Sequence, residues 1–189
     1  SPGARLLASF HAGAIAGLDT SFLEQLAATC GADGTVRVWD FLMKQPLEMA
    51  KFSRPARCLQ WANDHVDPAG HTIVVGFADG VVRVLVRDPR GKAVGKGGDD
   101  QEGEGQLRRA QTLKPHDRGV VAMGYSPNGK LLATVGEDCK LFFIRSYLTA
   151  EDYRPVGFYV LPSTPTSLSW RRDSSRVMVS CAGGEVAEV

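Results

Sequence analysis

The feature that most constrains this sequence is a strand pattern that recurs behind an acidic turn. Residues 31–40 read Gly-Ala-Asp-Gly-Thr-Val-Arg-Val-Trp-Asp. Asp33-Gly34 is a tight-turn signal. After it, Val36 and Val38 alternate with Thr35, Arg37 and Trp39, the period of a β-strand with two distinct faces. Residues 78–85 around Asp79 and residues 137–144 around Asp138 read the same way, and in each stretch an apolar residue (Trp39, Leu85, Ile144) lies six positions after the Asp. A second regularity runs through the same segments. His11 precedes Asp33 by 22 residues and Thr29 by 18; His116 precedes Asp138 by 22 and Thr134 by 18. Two coincident spacings mark an internal repeat.

Strand-length apolar runs fill the space around these anchors. Residues 5–10, 14–19, 26–30, 35–39 and 46–52 come first, and the second unit contributes 56–61, 71–76, 81–86 and 110–113. The third contributes 120–125, 131–135, 141–145 and, after a connector at 146–156, 157–161; the fourth contributes 166–170, 177–181 and 185–189. Short strands at regular spacing with Gly, Asn and Pro turns predict an all-β fold built from four-stranded units. Those units span about 11–52, 56–113, 116–161 and 165–189, all within one domain over 1–189. Residues 87–109 are rich in Gly, Asp, Glu, Lys and Arg and read as a flexible surface insertion.

The turn Asp, the strand ending Trp39-Asp40 and the His and Thr spacing resemble a WD-repeat β-propeller. The resemblance implies about three complete four-stranded blades with partial flanking blades, a fragment of a larger propeller. It also implies a hydrogen-bonded network of His11, Thr29, Asp33 and Trp39, with His116, Thr134 and Asp138 as its counterpart and Asp79 as the turn residue of the second unit. A half-buried carboxylate and an indole N–H both need partners, and such neighbours supply them. Counted by spacing, the second unit has Arg57 at the His register with Val75 and Leu85 at the Thr and Trp places. The fourth has Ser180 for Thr and Gly184 for Asp. Only the first unit is complete, since the third has Ile144 for Trp.

Other chemistries fare less well. A His-Thr-Asp trio suggests a nucleophilic triad, but a trio that repeats in two units reads as architecture, and no nucleophile elbow is present. His11, His65, His71 and His116 are scattered, and Cys30, Cys58, Cys139 and Cys181 form no Cys-x-x-Cys pair, so no metal or cofactor is expected. The cysteines read as reduced structural thiols. Residues 91–98 lack the phosphate-loop spacing, so no nucleotide or small-molecule substrate is expected. A net charge of +1 argues against a general nucleic-acid binder. No apolar run is long enough for a membrane helix.

Residues 114–116, Phe142-Phe143-Ile144, 153–158, Leu168-Ser169-Trp170 and the run 76–85 resemble the large cilia- and flagella-associated WD-repeat proteins, tandem propellers followed by coiled coils. Among these they resemble the ones that tether inner dynein arms to doublet microtubules. The implied function is a non-enzymatic scaffold of the axoneme, in the cytoskeleton of the cilium or flagellum, with dynein, tubulin and other axonemal proteins as partners. The alternative is a generic WD-repeat adaptor, either a ubiquitin-ligase substrate receptor or a trafficking scaffold. Against the first, Leu42 stands where such receptors carry Arg after Trp-Asp. Candidate contact regions are the 62–70 loop and the 87–109 insertion. Trp61 reads as core by its alternation with Leu59, and Arg171-Arg172 as a solvated turn.

Overall fold

The computed structural model describes residues 11–88, 107–146 and 149–189. Fifteen strands fill these segments, with no helix among the described residues. The first sheet is an antiparallel meander of β1 (Ile15–Thr20), β2 (Leu26–Gly31), β3 (Thr35–Asp40) and β4 (Gln45–Lys51). The second repeats it with β5 (Ala56–Trp61), β6 (Thr72–Phe77), β7 (Val82–Arg87) and β8 (Leu107–Leu113). The third has β9 (Val120–Tyr125), β10 (Leu131–Gly136), β11 (Lys140–Arg145) and β12 (Arg154–Val160). The fourth has three described strands, β13 (Pro165–Trp170), β14 (Val177–Cys181) and β15 (Val186–Glu188). The first strand of each sheet packs beside the first strand of the next, β1 on β5, β5 on β9 and β9 on β13. That places them innermost, with β4, β8 and β12 on the outer circumference of a propeller.

Period-two alternation decides which side chains fill the space between blades. Val36, Val38, Ala28 and Cys30 leave one face of the first sheet and pack against Leu59, Ile73, Val75 and Leu85 of the second. Val74, Val82 and Val84 on the reverse face of that second sheet meet Leu132 and Ile144 of the third. Ala133, Val135 and Leu141 then meet Val177 and Val179 of the fourth. A sheet flanked on both faces must be apolar on both, which is why β6 is buried along its whole length. Each first strand also carries a bulge near its start, at Ile15/Gly17, Ala56/Cys58 and Pro165/Ser167, with its counterpart in the third sheet at the Val120–Gly136 pairing. The repeat is therefore structural down to its irregularities.

Two sequence boundaries need correction. Arg87 ends β7 and residues 107–109 open β8, with Arg87 and Leu107 as register partners, so these positions are sheet and not insertion. Asp88 follows β7 outside the sheet, and the remainder of the 87–109 stretch, 89–106, lies outside the described residues, as does the strand expected at 5–10. β12 begins at Arg154, not at Gly157, because a bulge at Phe143/Ile144 brings Pro155 opposite Ile144 and prolongs the ladder. Trp61 is core, 5% exposed, with its indole N–H donating to the Gly70 carbonyl at 2.8 Å. Arg171 and Arg172 are exposed beside a turn, where Arg171 pairs with Asp173 at 3.3 Å. All four cysteines are free. Burial pushes the thiols of Cys30 and Cys58 up to about 12, which keeps both protonated.

Candidate functional site

The His11 cluster is built from three places in one sheet. The segment entering β1 supplies His11, the fourth residue of β2 supplies Thr29, and the β2–β3 turn supplies Asp33. His11 Nδ1 lies 3.1 Å from Asp33 Oδ1, and Nε2 lies 2.9 Å from Thr29 Oγ1. Trp39 on β3 donates its indole N–H to Thr29 Oγ1 at 2.8 Å. These contacts set one direction for the protons. Because Thr29 Oγ1 accepts from Trp39, its own hydrogen is available for Nε2, and the ring proton then sits on Nδ1 and donates to the carboxylate. The Asp33 carboxylate also accepts from the backbone N–H groups of Ala12 and Thr35 and from the Thr35 hydroxyl, at 2.9–3.0 Å. Burial pushes this carboxyl up, but those hydrogen bonds outweigh it and hold the group well below the usual carboxylate range.

The third blade repeats the cluster. His116 Nδ1 lies 2.9 Å from Asp138 Oδ1, and Nε2 lies 3.0 Å from Thr134 Oγ1. The His116 side chain is fully buried. Burial lowers the basicity of its imidazole below the ordinary value, and Asp138 opposes this only in part. Ile144 occupies the indole's place and is buried in the core between the second and third blades. Phe142 packs edge-on against the imidazole, with ring centroids 5.1 Å apart.

Strand pairing corrects the register of the other two blades. The backbone N–H of Phe52 donates to the Gly34 carbonyl, that of His116 to the Gly80 carbonyl and that of Leu161 to the Cys139 carbonyl, all in the same turn position. Phe52, not Arg57, therefore stands at the histidine place of the second blade. Arg57 lies on β5 and forms an ion pair with Glu137. Ten residues separate β5 from β6 where five separate β1 from β2, and those five extra residues displaced the count. In the fourth blade Val179 pairs with Leu168 as Thr29 pairs with Leu18, so Val179 and Gly183, not Ser180 and Gly184, hold the Thr and Asp places. Asp79 keeps its turn, accepting from the Val81 N–H at 3.2 Å. Phe52, Val75 and Leu85 surround this blade's version of the site without an imidazole. Polar and apolar blades thus alternate along the chain.

Glycines escaped the sequence reading. Gly31 and Gly136 each close the strand that carries the Thr. A Cβ on Gly136 would stand 2.5 Å from His116 Nδ1 and 2.7 Å from Asp138 Oδ1, and one on Gly31 would stand 3.0 Å from His11 Nδ1. The equivalent residue of the second blade is Phe77, which packs edge-on against Phe52 at 5.0 Å. Where the histidine is present its neighbour is glycine; where it is replaced by Phe52 the neighbour is a second ring. The signal was legible as Thr-x-Gly-x-Asp in both polar units. Trp39 is half-buried, not fully buried.

The 62–70 loop is tied down by Asp67, which accepts from the N–H groups of Ala69, His71 and Thr72 and from the Thr72 hydroxyl. It forms one wall of a cavity of about 290 Å³ between the second and third blades, facing Arg108, Glu151 and Tyr153. Tyr153, which lines the cavity, meets the Tyr125 hydroxyl with its own at 2.7 Å. Among the described residues no cluster of His, Cys, Asp and Glu is arranged to hold a metal ion.

The WD domain, G-beta repeat, family model matches residues 4–40 and 107–144, the segments that lead into and contain the two polar sites. Across 96% of its length the chain is 38% identical to Cilia- and flagella-associated protein 44 of Mus musculus, and across 83% it is 30% identical to the protein of the same name from Chlamydomonas reinhardtii. A shorter match, 38% identical over 45% of the chain, is to Cilia- and flagella-associated protein 57 of Mus musculus. The chain spans about a tenth or less of these relatives, 10%, 8% and 7% of their lengths. The computationally designed Ika4 protein shares the fold, with a TM-score of 0.71, 20% identity and coverage of 99% of this chain and 98% of that one. The chain belongs to the WD-repeat β-propellers, and its sequence resembles the cilia- and flagella-associated members among them.

Proposed function

We propose that this chain is part of a non-enzymatic scaffold of the ciliary or flagellar axoneme, where its propeller helps link inner-arm dynein to doublet microtubules through protein–protein contacts. The observation that carries the reading is the similarity to the cilia- and flagella-associated proteins, which runs through nearly the whole chain and not through the repeat motif alone. The two His-Thr-Asp sites support a framework role. They recur at equivalent places, each hydroxyl and ring nitrogen is committed to a neighbour inside the sheet, and His116 is closed to solvent. Contacts with partners fall to the loops. On the rim of the first blade, Phe22, Leu23, Phe41, Leu42 and Met43 are 40–66% exposed on two adjacent loops. Those loops are set by Ser21 and Asp40 side chains that accept backbone N–H groups. Exposed apolar groups held in fixed loops suit a protein partner.

The test is fractionation of ciliated cells expressing the tagged protein. Co-sedimentation with doublet microtubules through high-salt extraction, with loss of inner dynein arms on its depletion, is the expected result. Recovery only in the soluble cytosolic fraction would overturn the axonemal reading and favour an adaptor for a ubiquitin ligase or for trafficking.

A further inference from the structure

The three described outer strands occupy one structural position and differ in how they treat their free edge. β4 carries the exposed Lys51, and β8 carries Arg108 and Arg109. Charges of this kind guard an edge strand against pairing with another chain. β12 has only Arg154, at its first residue, and then reads Pro-Val-Gly-Phe-Tyr-Val. It is exposed along its whole length, with Val156 56%, Phe158 57%, Tyr159 51% and Val160 62% exposed. No strand pairs with its outer edge among the described residues.

The hydrogen-bond pattern shows what that edge offers. The Leu161 N–H donates inward to the Cys139 carbonyl. In an antiparallel ladder inward and outward residues alternate, so Tyr159 bonds to β11, while the N–H and C=O of Phe158 and Val160 point outward. Their side chains form a row on one face of the sheet. The Phe158 ring is held in place by stacking on Phe142 at 5.2 Å, with Lys140 Nζ 5.7 Å from its centroid. The flanking cations have anions of their own: Lys140 pairs with Asp117 at 2.9 Å and Arg154 with Asp152 at 2.6 Å. What remains between them is an uncharged apolar edge.

We propose that β12 is a docking edge for an extended, uncharged segment of another protein, which adds a fifth strand to the third blade and sets apolar residues at alternate positions against Phe158 and Val160. Backbone groups on an open edge recognise a strand, and the neutral side chains select a segment without charge at its centre. A second copy of β12 fits less well. Its short run, bounded by Pro155 and Pro162, would have to meet itself, whereas a flexible segment follows the whole strand and its twist.

Hydrogen exchange read by NMR on the isotope-labelled 189-residue chain tests this. The probe is a capped peptide alternating Thr and Val with one Lys at each end. A control peptide is N-methylated on the amides that would face β12. The expected result is about tenfold slower exchange of the Phe158 and Val160 amides with the first peptide and no change with the second. Val160→Lys should abolish the slowing while the thermal midpoint stays unchanged; Phe158→Thr serves as a second variant. The proposal is overturned if saturating peptide leaves both amides unchanged, or if the peptide perturbs Met178 and Val186 instead. It is also overturned if the two amides are already protected without peptide. Protection that rises with protein concentration would assign the edge to a second copy, and concentration-independent protection to a segment of this chain.

Discussion

Gly136 shows how a single hydrogen atom decides which chemistry a blade can hold. The space where its side chain would grow is filled by the imidazole and the carboxylate of the His116–Asp138 pair, both fixed by further hydrogen bonds. Gly136→Ala should therefore destabilise the chain by about 1–3 kcal/mol, the range for overpacking a filled site, read as a lower urea midpoint. Gly157→Ala, where nothing lies within 4 Å of the added carbon, should leave the midpoint unchanged. His116 itself makes stability depend on pH. Its folded basicity lies below the ordinary value of 6.5, so between the folded value and 6.5 the unfolded chain binds more protons. By linkage, this contribution is fully present above 6.5 and is lost as pH falls from there through the folded value. Stability measured by denaturant titration should fall over that window in the wild type. The fall should be smaller in His116→Asn, which carries no titrating ring. An equal slope in both would remove His116 as its source.

At the scale of the strand, what could be read from the sequence depended on whether an insertion lay between two anchors. His11, Thr29 and Asp33, and again His116, Thr134 and Asp138, were legible because five residues join the first and second strands in both blades. In the second blade the longer 62–71 connection broke the count, and only hydrogen bonds to the turn carbonyls identify Phe52 as the equivalent residue. In the fourth blade no histidine was present to count from, and the frame slipped by one residue. Contacts between blades were not legible at all, because they join residues far apart in sequence. The clearest is Arg87 at the end of β7. It donates from Nε and Nη2 to Glu48 Oε1 on β4 at 3.0 and 2.8 Å, and from Nη1 to Glu24 at 2.8 Å. The Glu48 and Arg87 side chains are 1% and 4% exposed. Removing Glu48 takes two of the three acidic contacts from the buried Arg87 and leaves it only the half-exposed Glu24, so Glu48→Ala should cost up to about 3–5 kcal/mol. Glu48→Met with Arg87→Met should cost much less, and a double-mutant cycle of unfolding free energies measures the difference. Additive losses would show that the pair does not couple the two blades.

At the scale of the molecule, each apolar cluster spans one junction, from first blade to second, second to third and third to fourth. Stability then resides in nearest-neighbour junctions, as in other repeat architectures. Whatever enters or leaves the chain at a loop should matter little unless it disturbs a junction, and residues 87–109 offer a sharp case. Removing the whole stretch would delete Arg87, and with it the ion pair to Glu48, together with the first three residues of β8. Confining the cut to 89–106 spares both. The two strands already meet at the cut, because Arg87 and Leu107 are direct register partners, so a short turn can replace the removed residues without moving either strand. The chain with a four-residue Gly-Ser turn in place of 89–106 should unfold cooperatively, with a thermal midpoint within about 2–4 °C of the wild type, the shift that about 1 kcal/mol produces in a chain of this size. The chain lacking 87–109 should fall well below it, because it loses a buried cation that holds two blades together. Equal midpoints for the two deletions would show that the junction does not depend on Arg87. Loss of cooperative unfolding in the shorter deletion would show that the blade needs 89–106 to form.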